Sequence, residues 1–557
     1  MRIISIDVEC YRNYFSLAGT DGKRNRFWYI TGNRQISASV AKEVRHYLTG
    51  ANKEIVTFNG TWYDFPMIDA FLNGYPCKVL KEISDEIIVK GVPYWVIRSK
   101  YKLGHIEFNC NHIDIKNVAP LNASLKMYGA RIHTKTLQDL PINPDESVHP
   151  QQYPMMKKYN INDTNVTLEL RHALKEELEL REVMSEHYDI NLMSCSDPQV
   201  GEKVLAKRCH LKRDPSATNS TEVKKVYYDP PDHISFDSGI FNKLYDEVCL
   251  GTFRVTPHGK LILPDDFTSK ELDYHGMKYK FGVGGLHSME KKRAITTNAN
   301  SRLELWDVSS YYPFIIVNNE YTTAQNPNLF LHEYDILLKR RLEAKARGDR
   351  AVMDSLRIAI NGCFGKFGSM WSPLYSPKLL LQVTVTGQLQ LLMLIEEITK
   401  QGGHVVSANT DGVVVKYNVA RTKEMKRVRN KWCSLVNHEL DVDELDSLFS
   451  RDVNNYIMFL RDGKVKRIGT YADQMSAKSK LFKNPNMEIC TEAAVKMIED
   501  GTSISETIFA CNDIRKFIVV RHVRGGCLDA DGNYLGTTVR WYYGKNSTGF
   551  ISRVDSG

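Results

Sequence analysis

Acids stand at the ends of apolar strand-like runs in two places far apart in this chain. In Ile3-Ile4-Ser5-Ile6-Asp7-Val8-Glu9 the two-residue period of a strand puts Asp7 and Glu9 on one face. Far downstream, Leu303-Glu304-Leu305-Trp306 ends in Asp307, and Val405-Val406-Ser407-Ala408 leads through Asn409-Thr410 to Asp411. Carboxylates this close repel each other unless a cation lies between them. A fold that carries them must hold each group in place from outside. The two sets, Asp7, Glu9, Asp64 and Asp163, then Asp307 and Asp411, each have the spacing to hold a pair of divalent metals against a phosphodiester.

At 557 residues the chain is too long for one core and should divide into about three or four units. Charged residues at 25% and apolar ones at 42% fit a soluble globular protein. No apolar run approaches a membrane span, and the opening MRIISIDVE enters a strand pattern too soon for a signal peptide. Eleven cysteines without a C-x-x-C pair argue against zinc and for reduced thiols in a cytosol-like compartment. The net charge of +8 suits a polyanionic partner without requiring one.

Residues 1–190 read as α/β, with strands at Arg2–Val8 and Ile55–Phe58 and one long helix from Met156 towards Met184. The polar stretch Lys212–Asp232 marks a boundary, giving a connecting segment over 191–235. A second α/β region follows. It has a strand at Leu303–Val308, helices around Asp335–Gly348, Val352–Phe367 and Thr386–Lys400, and a hairpin over Val405–Tyr417. After about Ser476 the mix changes to helix plus short strands with Arg and aromatic residues. There is no internal repeat.

The first acidic pair has two companions. Phe58-Asn59-Gly60-Thr61-Trp62-Tyr63-Asp64 sets an acid among aromatics. In Tyr159-Asn160-Ile161-Asn162-Asp163 the i, i+4 spacing points phenol and carboxylate together on a helix. In this order the three pieces resemble the exonuclease motifs of DnaQ-like 3′–5′ exonucleases. The resemblance implies that Asp7, Glu9 and Asp163 ligate two metals, with Asp64 ligating directly or through water. Tyr159 would orient the attacking water, and Asn59 and Tyr63 would touch the frayed strand. Ser124-Leu125-Lys126 sits where related nucleases hold single-stranded DNA, although Ser124 reads equally well as a helix N-cap.

The second set resembles family B DNA polymerases. Asp307-Val308-Ser309-Ser310-Tyr311-Tyr312-Pro313 is similar to motif A, D-x-x-S-L-Y-P. By that likeness Asp307 and the Val308 carbonyl bind metal, Ser310 and Tyr312 face the nucleotide, and the Tyr312 ring leaves no space for a 2′-hydroxyl. Tyr311 stands where Leu is usual and reads as core. Asn409-Thr410-Asp411-Gly412 is similar to the D-T-D hairpin of motif C, with Asp411 the metal ligand and Asn409 in place of the first Asp. Arg357 to Gly365 is similar to motif B, K-x-x-x-N-S-x-Y-G, and Arg357, Asn361 and Phe364 share a helical face. Arg357 keeps the Lys charge but cannot serve as an acid. Two glycines there, Gly362 and Gly365, disfavour a helix by about 1 kcal/mol each and suit a closely approaching base pair. Arg341 and Lys345 stand i, i+4 where the family grips the triphosphate. Weaker likenesses are Tyr456, in a K-x-Y primer element without its Lys but near Lys464, Lys466 and Arg467, and the glycines Gly282, Gly284 and Gly285. Arg521, Arg524, Arg540 and the rings Trp541, Tyr542 and Tyr543 mix cations and aromatics as a duplex-gripping element could.

The resemblance spans nearly the whole chain, and compact phage-type members fit it best. It implies an α/β multidomain fold, an RNase H-like exonuclease domain joined to a right-hand polymerase. The expected layout is exonuclease 1–190, connector 191–235, palm 236–330, fingers 331–368, palm again 369–475 and thumb 476–557. It implies two Mg²⁺ per active site (or Mn²⁺), primer-template DNA and dNTPs as partners, no membrane, and a cytoplasmic location, that of the host cell for a phage protein. Asp7 leaves no room for the extra N-terminal domain of larger relatives. The intervals Pro313 to Arg357 and Gly365 to Asn409 are equal in length and already filled by a helical hairpin and by strand, helix and hairpin arm. Neither accommodates an inserted priming subdomain, so extension of a nucleic-acid 3′-hydroxyl is expected. Two rivals are a nuclease with an inactive polymerase half and a non-catalytic nucleic-acid-binding module.

Overall fold

The apolar run that carries Asp7 is the middle strand of a five-stranded sheet. The computed structural model describes residues 1–103, 111–218, 222–264, 267, 271–282, 284–473, 480–546 and 549–554. The first sheet holds β1 (Arg2–Tyr11), β2 (Tyr14–Thr20), β3 (Asn25–Thr31), β4 (Lys53–Thr57) and β5 (Asn111–Asp114), in the order β3-β2-β1-β4-β5. β1 runs antiparallel to β2 and parallel to β4, and β4 is parallel to β5. Alternation along β1 sorts its side chains. Ile4, Ile6 and Val8 enter a core with Val44, Met67, Phe71 and Leu80 from three helices. Asp7 and Glu9 take the opposite face, where the helix Tyr153–Ala173 brings Asp163. The single helix expected from Met156 towards Met184 is two, Tyr153–Ala173 and Lys175–Tyr188, because the backbone leaves helical geometry at Leu174.

The chain divides into two compact units, Met1–Ser196 with Asp473–Gly557, and Asp197–Ala472. This changes the expected layout twice. The first boundary falls at Ser196, so most of the supposed connector, including the helix Asp197–Arg208, belongs to the second unit. Residues 476–557, expected as a separate region, pack with the first unit. Their strands Val519–Leu528, Tyr534–Trp541 and Ser552–Arg553 form a small sheet. Val520 from that sheet is buried against Met127 and Ala130 of the helix Leu125–Arg131. Polar ties fix the contact: Arg131 Nη1 donates to the Leu481 carbonyl at 2.8 Å, and the Thr537 amide donates to Asp139 Oδ2 at 2.6 Å.

In the second unit a small sheet joins β6 (Lys224–Val226), β7 (Phe253–Val255) and β8 (Leu261–Ile262). A ten-stranded sheet is built from β9 (Glu271–Tyr274), β10 (Met277–Lys280), β11 (His287–Ser288), β12 (Arg293–Thr296), β13 (Ser301–Val308), β14 (His404–Asn409), β15 (Gly412–Asn418), β16 (Leu440–Asp452), β17 (Asn455–Leu460) and β18 (Val465–Ile468). β13, which carries Asp307 one residue before its end, lies between β15 and β16 and is antiparallel to both.

The helices Pro327–Arg347 and Arg350–Asn361 form a hairpin closed by Gly348 at φ 70°. The expected helix Val352–Phe367 stops at Asn361, and a short 3₁₀ turn, Phe364–Lys366, follows. Gly362 does not offer an open surface. A Cβ there would lie 2.5 Å from the Asp197 carbonyl oxygen, and one on Gly201 would lie 2.7 Å from that of Ala359. These two glycines let the helix Asp197–Arg208 approach Arg350–Asn361 backbone to backbone. Gly365, by contrast, has open space where its Cβ would be. The helix Pro377–Lys400 is long and apolar enough to cross a membrane by length and composition, which the reading of the sequence passed over. Its most apolar 18-residue stretch is 94% buried, as in a core helix, and its Gln382 and Gln388 bond to the backbone of Asp229 and Gly282.

Candidate active sites

In the first unit, β1 and the helix Tyr153–Ala173 bring carboxylate oxygens of Asp7, Glu9 and Asp163 within 4.8 Å of one another. Burial pushes Asp7 and Glu9 well above the usual carboxylate range, and their acidic neighbours push further. Burial also raises Asp64, with Asp114 adding to it. Asp64 joins through the backbone of β1: its Oδ1 accepts the Val8 amide at 3.1 Å, and its charge bears on Asp7. Tyr159 is buried, and its phenol is held protonated by burial and then by Glu9, Asp163 and Asp7. Crowded, buried oxygen donors of this kind suit a hard divalent cation such as Mg²⁺.

Three further groups belong to this site; Asn160 and Asp114 were not singled out from the sequence, and Lys126 was named only for strand binding. Lys126 pairs with Asp163 and stands 4.3 Å from the centre of the Tyr159 ring, so it partly offsets the acids. Nothing in the sequence links positions so far apart. Asn160 Nδ2 donates to Asp7 Oδ2 at 2.6 Å while its Oδ1 accepts from Ser16 at 3.2 Å. Its i, i+3 relation to Asp163 was a signal available for it. Asp114, at the end of β5, accepts the amides of Asn59 and Thr61 at 2.8 and 3.1 Å and so fixes the loop before Asp64.

The three strand-contact candidates stand differently. Asn59 has a left-handed backbone, φ 72°, and its side-chain oxygen accepts from Lys116 at 3.2 Å. Tyr63 packs on the core, its hydroxyl 3.0 Å from Ser84 Oγ, and feels the charges of Glu9 and Asp64. Ser124 is an N-cap, its Oγ accepting the Met127 amide at 3.2 Å.

In the second unit the strand register does the assembling. Asp307 on β13 lies opposite Gly412 on one side and Asp441 on the other, and the Val308 amide donates to the Asp411 carbonyl at 2.7 Å. The turn is tight enough to hold Thr410, a β-branched residue, at φ 50°. A Cβ on Gly412 would lie 3.0 Å from Asp307 Oδ1, so glycine admits the carboxylate there. Burial raises Asp307, and burial with Asp307 beside it pushes Asp411 up to about 6. Asn409 Nδ2 faces the Val453 carbonyl at 3.3 Å, a contact an Asp could not make.

A cleft of about 500 Å³ opens over these acids. Its lining includes Asp307, Val308, Ser310, Tyr312, Arg341, Lys345, Asn361, Phe364 and Asp411. Arg341 pairs with Ser310 Oγ, and Lys345 Nζ lies 3.1 Å from Ser309 Oγ and 2.8 Å from Asp441. Asp441, a third carboxylate, was not found from the sequence because only strand pairing brings it to Asp307. The Tyr312 ring stacks on Phe364 with centroids 4.6 Å apart. Tyr311 is core, as expected, its hydroxyl donating to the Gly387 carbonyl at 2.5 Å. Arg357 is not brought into the cleft lining: it is half exposed and lies 3.6 Å from Asp354, one turn away on its own helix. On the other side of the two acids a groove of about 750 Å³ is lined by Asp307, Asn409, Asp411, Tyr456, Lys466 and Arg467.

No protein-family model matches the chain, and no curated protein matches it. Among solved structures it is similar to the family B DNA polymerase from the hyperthermophilic archaeon Pyrobaculum calidifontis. The TM-score is 0.39 and the identity 16%, over 98% of this chain and 73% of that one. The chain is a mixed α/β protein of two units, with an acid-floored cleft in the second and an acidic cluster in the first.

Proposed function

We propose that the protein is a template-directed DNA polymerase that adds dNMPs to a primer 3′-hydroxyl and trims mispaired ends with a 3′–5′ exonuclease. The observation that carries this reading is the meeting of Asp307 on β13 and Asp411 in the turn before β15, its paired strand, at the floor of a cleft whose wall holds Arg341 and Lys345. Two acids facing two fixed cations are what a magnesium triphosphate needs.

Asp307, the Val308 carbonyl and Asp411 would hold Mg²⁺, or Mn²⁺, which when bound neutralises charge developing on the phosphates. Arg341 and Lys345 grip the phosphates, Asn361 borders the base, and Tyr312, braced on Phe364, underlies the sugar and excludes a 2′-hydroxyl. Tyr456, Lys466 and Arg467 line the groove that would take the primer strand. Arg357 stands outside this set. In the first unit Asp7, Glu9 and Asp163 would hold the corresponding ions, with Tyr159 orienting the attacking water. Lys126 must release Asp163 when a cation takes it. The chain would extend a nucleic-acid primer, since the intervals around Arg357 are filled by the helices described above.

Metal-dependent primer extension and single-strand degradation test both halves. Asp411→Ala should abolish extension and spare degradation, and Asp7→Ala with Glu9→Ala should do the reverse. A wild-type protein that degrades but never extends would leave only the nuclease, and one that does neither would sink the reading. Robust product on unprimed template, or dNMP joined to a protein side chain, would overturn the inference about priming.

A further inference from the structure

A second cavity adjoins the nucleotide cleft and shares Ser309 and Lys345 with it. Its volume is about 620 Å³, and Phe314, Ala346, His438 and Glu439 also line it. His438 is 3% exposed, and among the described residues neither of its ring nitrogens has a hydrogen-bond partner. Its ring meets Tyr311 and Phe314 edge-on, each with centroids 5.5 Å away, and stacks on Trp432. Aromatic packing thus fixes the imidazole but satisfies neither nitrogen. A buried polar group left in that state is costly unless something enters to bond it. Burial holds the ring neutral at neutral pH, so it offers one N–H without adding charge.

On the shared wall Lys345 Nζ reaches Ser309 Oγ at 3.1 Å, so the cation that would hold a triphosphate in the cleft also borders this cavity. Glu439, exposed at the rim, opposes an anion and favours passage over tight capture. We propose that this cavity receives the pyrophosphate leaving the nucleotide cleft, with Lys345 passing it on and His438 donating a hydrogen bond to it. The proposal rests on the polymerase reading. In that reaction the primer 3′-oxygen forms a bond to the α-phosphorus. The bond from α-phosphorus to the bridging oxygen breaks, its electron pair leaves on pyrophosphate, and the 3′-hydroxyl proton passes to solvent.

The test uses the full chain and inorganic pyrophosphate as an inhibitor of primer extension. His438→Leu, which keeps the apolar packing, should raise the pyrophosphate Ki about tenfold, as loss of a hydrogen bond to a charged group would. The dNTP KM should stay within about twofold, and His438→Gln, which keeps a donor, should restore most of the affinity. Ala346→Phe narrows the cavity without touching His438 and should also raise Ki, which carries the test if His438→Leu fails to fold. An unchanged Ki in the variants that fold, or a dNTP KM that rises in step with Ki, overturns the proposal. Wild-type protein that extends no primer would instead sink the polymerase reading itself.

Discussion

Gly412 and Asp307 face each other across paired strands with no room for a methyl group between them. Gly412→Ala would put a Cβ 3.0 Å from the carboxylate and 3.2 Å from the Trp306 carbonyl. Displacing an acid at a reacting centre even slightly costs up to about a hundredfold, so extension should fall more than tenfold while circular dichroism and single-strand degradation stay normal. Tyr312→Val should raise ribonucleotide incorporation by opening space at the 2′ position. If Tyr311→Val did so instead, the register argued here would be off by one. His438 gives a pH prediction. Burial, with His233 adding, pushes its folded pKa from 6.5 down to about 3, so above pH 6.5 both states are neutral there. As pH falls from 6.5 towards 3 the unfolded chain binds a proton that the folded one refuses. Stability should drop by about 1.4 kcal/mol per pH unit, and denaturant midpoints should show His438→Leu removing that slope. At this scale the sequence was readable where one element sets two residues together. Strand alternation paired Asp7 with Glu9, and helical spacing paired Tyr159 with Asp163. It was silent on Lys126 with Asp163 and on Asp441 with Asp307, because those pairs exist only once separate elements have packed.

Among elements, the glycines of the Arg357–Gly365 segment show how the same local cue can serve two ends. Both were expected to make room for a base pair, and only Gly365 has open space beside it. Gly362 and Gly201 form the crossing of two helices. Gly362→Ala should therefore destabilise the second unit by about 1–3 kcal/mol, seen as a lower melting temperature, while Gly365→Ala should leave melting unchanged and act on nucleotide binding. Helix positions were legible from apolar periodicity, but ends were not. The break at Leu174 has no proline or turn signature in the sequence, whereas the stop at Asn361 falls at an Asn-Gly pair, a helix-end signal that the apolar periodicity overrode. The C-terminal strands were expected but their packing was not: their cations and rings suggested a separate gripping element, whereas Val520 is buried against Met127 and Ala130.

At the scale of the molecule, division into two units predicts two unfolding transitions in calorimetry, since each unit has its own core. Arg131→Met removes the bonds to Leu481 and Asn484 and should lower only the transition of the first unit, by a few degrees. A single transition shifted as a whole would mean that the units melt together. The division also sets an order of events during synthesis. The first unit is written in two instalments, with the whole of Asp197–Ala472 between them. A ribosome finishes the second unit before it has made Val520, so the helix bearing Lys126 waits uncovered while the second unit is already complete. On the proposed function, a message cut short after Ala472 would yield a folded nucleotide cleft tethered to an unfinished nuclease unit. On that reading such a product would copy a strand without the means to check it, and accuracy would rest on the segment that follows Ala472.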